Sequence, residues 1–139
     1  MRDKSPTLGH DALTKFQSEV KRFGGSLTVV TQNIDELHQK ASTADVIEMH
    51  GTLFKTRCTE CGEVKRQSKF PFCPALEGRG APDADAKMDR IPREELPRCE
   101  KCSGLLRPHV VWFGECLEEK ILDNIDQLIS ECDMLLVVS

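Results

Sequence analysis

Two cysteine pairs, Cys58-Thr59-Glu60-Cys61 and Cys99-Glu100-Lys101-Cys102, carry the spacing of metal ligands. Each is followed by small turn residues, Gly62 after the first and Ser103-Gly104 after the second. Such a knuckle lets two thiolates point at one centre, and two knuckles complete a tetrahedral site of four sulfurs. Zinc suits soft thiolates and has no d-electron preference for another geometry; an iron–sulfur cluster, which also uses four cysteines, is the rival. Four protein thiolates leave no open coordination position. The expected ion is therefore a single structural Zn2+ whose removal unfolds the module it closes. The 37 residues from 62 to 98 between the knuckles exceed the needs of a compact zinc ribbon, which predicts an excursion within the module. Cys73, Cys116 and Cys132 stand alone and read as buried or loop thiols. Seven cysteines, an odd number, fit disulfide pairing badly.

A second group of reactive side chains is polar: Gln32, Asn33, Asp35 and His50. Taken singly, Asn33 and Asp35 have the character of turn residues. His50 beside Gly51 is either a satisfied histidine at a strand end or a general base, since imidazole titrates near neutral pH. All four fall at the ends of two expected strands, Leu27–Thr31 and Val46–His50. In open α/β sheets, ligands bind beyond the carboxyl ends of the strands.

The elements that must position these groups follow from periodicity. Leu13, Phe16, Val20 and Phe23 recur at helical spacing, with Thr7 to cap the start and Gly24-Gly25 to end the helix. The β-branched run Leu27–Thr31 reads as a buried strand, and Ile34, Leu37 and His38 open a short helix. Gln67–Pro97 carries prolines and charges without periodicity and reads as a long surface loop. His109-Val110-Val111-Trp112-Phe113 is extended and apolar, closed by Gly114. Leu117, Ile121, Leu122, Ile125, Leu128 and Ile129 predict an amphipathic helix, and Met134–Val138 a central parallel strand buried on both faces. The fold class is α/β: part of a Rossmann-like parallel sheet with an inserted four-cysteine zinc module. The zinc module spans 54–106, with 1–53 and 107–139 as parts of the sheet portion. Ser139 follows directly on an apolar strand, so the sequence is expected to be a piece of a longer one.

Composition narrows the function. Of 139 residues, 39% are hydrophobic and 30% charged, as in ordinary soluble domains. The net charge of −4 and the lack of a basic stripe argue against nucleic acid as a partner. No run approaches the roughly 20 apolar residues of a membrane span, so no membrane partner is expected. Met1-Arg2-Asp3-Lys4 has neither the apolar core of a signal peptide nor the character of a transit peptide.

In combination the motifs are specific. Thr31-Gln32-Asn33-Ile34-Asp35, Glu48-Met49-His50-Gly51, the two knuckles and Val110-Val111-Trp112-Phe113-Gly114-Glu115 occur in that order. This resembles the core of the sirtuins, the NAD-dependent protein lysine deacylases, and Pro6-x3-His10-x-Ala12-Leu13 resembles the family's preceding helix. Cys73-Pro74-Ala75-Leu76, the long inter-knuckle excursion and Leu105–Glu115 resemble the mitochondrial branch that removes succinyl, malonyl and glutaryl groups. The resemblance implies acyl transfer from a protein lysine to the ADP-ribose part of NAD, releasing nicotinamide and O-acyl-ADP-ribose. It implies His50 as the catalytic base, Ile34 and Asp35 holding the nicotinamide carboxamide, and Gln32 and Asn33 contacting ribose and positioning water. Val110, Val111, Trp112, Phe113, Gly114 and Glu115 would pair with the backbone of an acyl-lysine protein substrate as an added strand. Val111, Trp112 and Phe113 would also line the acyl-lysine channel, whereas their reading without the family is plain core packing. The branch implies a mitochondrial location, with cytosol and nucleus as open alternatives.

Two parts of the family pattern are missing from these residues: the glycine-rich phosphate-binding segment, expected upstream of residue 1, and the Gly-Thr-Ser loop expected after Val138. No G-x-G-x-x-G occurs, so a backbone cradle for pyrophosphate is not in this sequence. The Tyr-x-x-Arg pair that selects acidic acyl groups would lie upstream of residue 1. A second reading, from another class, is therefore a non-catalytic zinc module that binds partners or competes with an intact enzyme.

Overall fold

The computed structural model describes residues 4–68, 72–77 and 90–138. The chain divides into two compact units, Met1–Thr52 with Val110–Ser139, and Leu53–His109.

The first unit opens with α1 (Leu8–Arg22). Thr7 precedes it in extended conformation, and the Nδ1 atom of His10, three residues on, accepts from the Thr7 N–H at 3.2 Å and pairs with its hydroxyl at 2.8 Å. The helix stops at Phe23, and Gly24 follows with φ +83°, a left-handed conformation that glycine adopts without cost. Both ends lie where Thr7 and Gly24-Gly25 put them. The buried face does not. Phe16 and Phe23 are exposed, and Gln17 is the one buried residue of the helix. Its side-chain Nε2 donates to the carbonyls of Leu27 (2.8 Å) and Ala44 (3.1 Å), while its Oε1 accepts from the Ala44 N–H (2.8 Å). A polar clasp, rather than the apolar stripe, fixes α1 against the segments that lead into the strands.

Those strands are β1 (Val29–Thr31) and β2 (Val46–Glu48), joined through α2 (Leu37–Lys40). They pair in parallel with Val29 opposite Val46, Val30 opposite Ile47 and Thr31 opposite Glu48. The Val29 N–H donates to the Asp45 carbonyl, and the Met49 N–H to that of Thr31, each at 2.9 Å. Both strands are shorter than expected: β1 starts at Val29, not Leu27, and β2 ends at Glu48, because Met49 and His50 turn and Gly51 adopts φ +72°. A β-branched run favours extended backbone, but the ladder lasts only where both partners keep register.

After the second unit the chain returns to the first with α3 (Glu119–Glu131). Its expected stripe forms in part: Ile125 is buried and Ile121 and Leu128 are half-buried, but Leu122 and Ile129 are exposed and Leu117 precedes the helix. Met134–Val138, expected to be a buried central strand, joins no sheet and is 63 to 83% exposed. A parallel strand buried on both faces needs neighbours at its edges and helices over its faces. The described residues offer it neither.

The second unit is built on a three-stranded sheet in the order β4 (Val64–Arg66), β3 (Gly51–Cys58), β5 (Leu106–Val110). β3 and β4 run antiparallel, with Thr56 opposite Lys65. Along β3, burial alternates with the two-residue period of a strand: Thr52, Phe54, Thr56 and Cys58 point inward. Among these only Phe54 is a large apolar side chain; the Thr56 hydroxyl is satisfied by Gln67 Nε2 at 2.7 Å. The expected loop Gln67–Pro97 lies partly outside the described residues; its described portions include short 3-10 turns at Pro74–Leu76 and Arg93–Glu95. The extended run expected at His109–Phe113 is displaced to Leu106–Val110, and the backbone beyond it bends.

Candidate functional site

The cysteine centre is assembled by two backbone turns. Cys58 ends β3, and its carbonyl accepts from the Gly62 N–H (3.2 Å) while its own N–H donates to the Glu63 carbonyl (2.9 Å). Gly62 has φ +71°, the conformation the turn demands. In the second knuckle the Cys99 carbonyl accepts from the Ser103 N–H (2.9 Å) and the Cys99 N–H donates to the Gly104 carbonyl (2.8 Å). Gly104 is needed for another reason: a Cβ there would lie 3.0 Å from the Cys58 sulfur and 2.5 Å from Glu60 Cγ.

These turns bring the sulfurs of Cys58, Cys61, Cys99 and Cys102 within 4.8 Å of one another. The Cys58–Cys102 separation is 3.4 Å and that of Cys61–Cys99 is 3.8 Å. A tetrahedron of sulfurs at the ~2.3 Å Zn–S bond length has edges of about 3.8 Å, so the four donors fit a zinc ion. Cys58 and Cys99 are buried while Cys61 and Cys102 are exposed. Among the described residues this is the one group of His, Cys, Asp and Glu that could hold a metal.

The four thiols are electrostatically unequal. The Cys61 backbone N–H, opposed by burial and aided by the Glu60 N–H at 3.4 Å, lowers the Cys58 thiol to about 6. At Cys102 the Gly104 N–H pulls down, but the neighbouring sulfurs, Cys58 first, outweigh it and push the thiol up to about 12. Cys99 is also raised, because burial and the sulfurs of Cys61 and Cys58 overcome the backbone N–H groups of Cys102 and Lys101. The Cys58 sulfur is thus ready as a thiolate, and a cation must draw the protons from Cys99 and Cys102.

The polar group lies in the first unit, on the loop after β1 and the turn after β2. Gln32 and Asn33 are exposed, whereas Ile34, Asp35 and His50 are half-buried. The Asn33 N–H donates to the Thr31 hydroxyl (3.1 Å), and Asp35 Oδ1 accepts from the Leu37 N–H (3.0 Å), opening α2. His50 Nδ1 lies 3.1 Å from the Gln32 carbonyl oxygen. A carbonyl only accepts, so in the neutral ring Nδ1 carries the hydrogen and Nε2 keeps its lone pair. His50 is therefore set up as a proton acceptor through Nε2. The His50 carbonyl accepts from the Val111 N–H (3.0 Å). Beyond it, Trp112 and Glu115 close a turn on each other, with Gly114 at φ +87°. Val110 is buried, but Trp112 and Phe113 are exposed, not the core residues their composition suggests.

Three further residues of this region carry no obvious signal in the sequence. Glu36 is buried with φ +56°, and its Oε1 accepts from the fully buried Thr52 hydroxyl at 2.8 Å. Thr52 could have been found from the alternation along β3; a glutamate in left-handed conformation could not, because that backbone favours glycine. His38 is buried with its ring 4.7 Å from that of His10, and burial first, then His10, lowers its pKa against the pull of Asp35.

The sequence profile of the Sir2 family matches residues 1–139. The chain belongs to the Sir2 family. It is 53% identical over 140 residues to the Danio rerio protein named NAD-dependent protein deacylase sirtuin-5, mitochondrial, covering 99% of this chain and 46% of that protein. The chain thus spans less than half the length of that Sir2 relative. Among solved structures, a Sir2 homolog–NAD complex superimposes with a TM-score of 0.69 at 34% identity, covering 94% of this chain and 42% of the other. A complex of Sir2, a p53 peptide and NAD+ gives a TM-score of 0.63 at 29% identity over 91% of this chain and 44% of that one. The Sir2 fold of these neighbours accounts for the parallel β1–β2 pair as part of a Rossmann-like α/β sheet.

Proposed function

We propose that the chain carries part of the catalytic site of an NAD-dependent lysine deacylase, removing succinyl, malonyl or glutaryl groups, or acetyl, from protein lysines. The observation that carries this reading is the His50–Gln32 hydrogen bond, which leaves Nε2 free to act as a base. His50 would take a proton from a ribose hydroxyl. Asp35 keeps one carboxylate oxygen on the Leu37 N–H, and its other oxygen suits the amide hydrogens of a nicotinamide carboxamide. Ile34 would sit beside that carboxamide, while the exposed Gln32 and Asn33 would meet the ribose and a water. Val110–Glu115 would meet the substrate, with Trp112 and Phe113 offering apolar surface to the acyl-lysine stem. When bound, NAD supplies the ribose carbon that accepts the acyl oxygen, with nicotinamide as leaving group. In this reading 54–106 is the zinc module, closed by Cys58, Cys61, Cys99 and Cys102 and without a chemical role. Residues 1–53 and 107–139 contribute to the NAD-binding portion, and the names of the relatives support a mitochondrial location.

A second reading, a non-catalytic zinc module that acts as scaffold or competitor, is favoured only for these 139 residues taken by themselves, which hold no glycine-rich phosphate loop. The deciding experiment incubates the zinc-loaded chain with NAD and a succinyl-lysine or acetyl-lysine peptide, and reads O-acyl-ADP-ribose by mass spectrometry. Product that vanishes in His50→Tyr supports the deacylase. No product from a folded, zinc-bound chain would mean that the catalytic residues are relics or that these 139 residues do not suffice for the reaction, as the scaffold reading expects.

A further inference from the structure

The loop Gln32–Asp35 has few ties. Among the described residues, its hydrogen bonds are the Asn33 N–H to the Thr31 hydroxyl, the Leu37 N–H to Asp35, and His50 Nδ1 to the Gln32 carbonyl. Two are local contacts that shape the loop without locating it. The segment that faces it, Met49–Thr52, is bound to β1 by the Met49 N–H on the Thr31 carbonyl at 2.9 Å. At the far end of the loop stands Glu36, whose left-handed backbone costs any residue with a Cβ. Its carboxyl group is buried, which is costly unless it is hydrogen-bonded. A residue that carries both penalties is held there by its partner. One such partner is the Thr52 hydroxyl, 2.8 Å away and fully buried, two residues beyond His50.

We propose that Glu36 and Thr52 are positioning residues: their buried hydrogen bond latches the loop to the segment that carries His50, keeping the Gln32 carbonyl on Nδ1 and so Nε2 as the base. The role in catalysis rests on the deacylase reading above; the latch itself does not. The two segments are then joined at three successive points: Thr31 to Met49, Gln32 to His50, and Glu36 to Thr52. Without the outermost tie, the Gln32 carbonyl is held from one side only, and the imidazole is free to populate the other tautomer, as a solvated ring does.

The test reads the tautomer directly, by 15N chemical shifts of the His50 ring in the zinc-loaded 139-residue chain near pH 8. The parent chain is expected to show the Nδ1–H form. Thr52→Val and Glu36→Ala should each move the tautomer ratio toward Nε2–H by about fivefold, the worth of one net hydrogen bond. Thr52→Ser, which keeps the hydroxyl, should restore the parent ratio, and the double variant should add little to either single one. Far-UV circular dichroism reports whether the variants fold. If Glu36→Ala does not, the variants at position 52 decide alone: Val keeps the shape of threonine without the hydroxyl, and Ser keeps the hydroxyl without the methyl. An unchanged ratio in Thr52→Val, or a Ser variant that behaves like Val, overturns the latch. A shifted ratio in a chain that forms no O-acyl-ADP-ribose keeps the latch and removes only the catalytic reading.

Discussion

Gly104→Ala should weaken zinc binding through steric pressure on one sulfur. The added Cβ would stand 2.5 Å from Glu60 Cγ, 2.9 Å from Glu60 Cβ and 3.0 Å from Cys58 Sγ. Glu60 is exposed, so its Cγ can swing aside; its Cβ and the sulfur move only if the first knuckle moves. Overpacking of this kind costs about 1–3 kcal/mol, equivalent to an affinity loss of about 5- to 150-fold. Gly62 supplies the control. It has φ +71° with nothing within 4 Å of an added Cβ, so its requirement is conformational and not spatial. Asparagine tolerates left-handed backbone, and Gly62→Asn should stay close to the parent affinity, whereas Gly104→Asn should be at least as damaging as Gly104→Ala. Competition against a chromophoric chelator gives the affinities, and the sulfur-to-metal charge-transfer band of the Co2+ form counts the bound thiolates. A Gly104→Ala chain within twofold of the parent, or a Gly62→Asn chain as weak as Gly104→Ala, would refute the reasoning.

Zinc binding should also release protons in a pH-dependent number. Cys58, lowered to about 6, is already a thiolate at pH 7.5, while Cys99 and Cys102 are raised and must each give up a proton. Calorimetry in buffers of different ionisation enthalpy should find at least those two protons at pH 7.5, with one more appearing as pH falls through about 6. Apparent affinity therefore falls toward acid; a release that does not change between pH 7.5 and 5 would contradict the low Cys58 value. In the first unit, Gln17→Leu keeps the side-chain size but strands two carbonyls and one N–H, a loss of about 2–4 kcal/mol. Urea unfolding followed by circular dichroism checks it, and a midpoint like the parent's would mean the clasp contributes nothing.

What the sequence disclosed and what it concealed divide along the range of the interactions. The knuckles were legible because each is a turn of a few residues whose spacing sets its geometry, and two such turns can share an ion only by meeting. The ends of α1 were legible for the same reason, through Thr7 and the glycine pair. Contacts distant in sequence were not. Periodicity marked Leu13, Phe16, Val20 and Phe23 as the inward face of α1, but nothing local says that Gln17 meets Leu27 and Ala44. Met134–Val138 reads as a core strand because five consecutive apolar residues specify a buried environment without saying which segments provide it. In the polar site, the types of Gln32, Asn33, Asp35 and His50 suggested chemistry, yet the tautomer of His50 depends on a carbonyl 18 residues away. Glu36 was invisible, because a backbone conformation that favours glycine was met by a charged residue with a hidden partner.

The way the four-sulfur centre is closed bears on how this chain can change length. Its two halves come from knuckles separated by 37 residues, and each knuckle is made by its own backbone bonds, Cys58 with Glu63 and Cys99 with Gly104. The described residues of the intervening chain contribute no ligand, so their main thermodynamic effect on the centre is the entropy of bringing the two ends together. That entropy grows only with the logarithm of length: twenty residues added after the exposed Glu77 would cost about 0.4 kcal/mol. One residue added between Cys58 and Cys61 would instead disturb the turn, closed by the Gly62 N–H on the Cys58 carbonyl, that aims both sulfurs at one centre. The same metal centre thus makes positions within each knuckle sensitive to an insertion whose entropic cost after Glu77 is small, which is where new sequence can enter this domain with least effect on the ion.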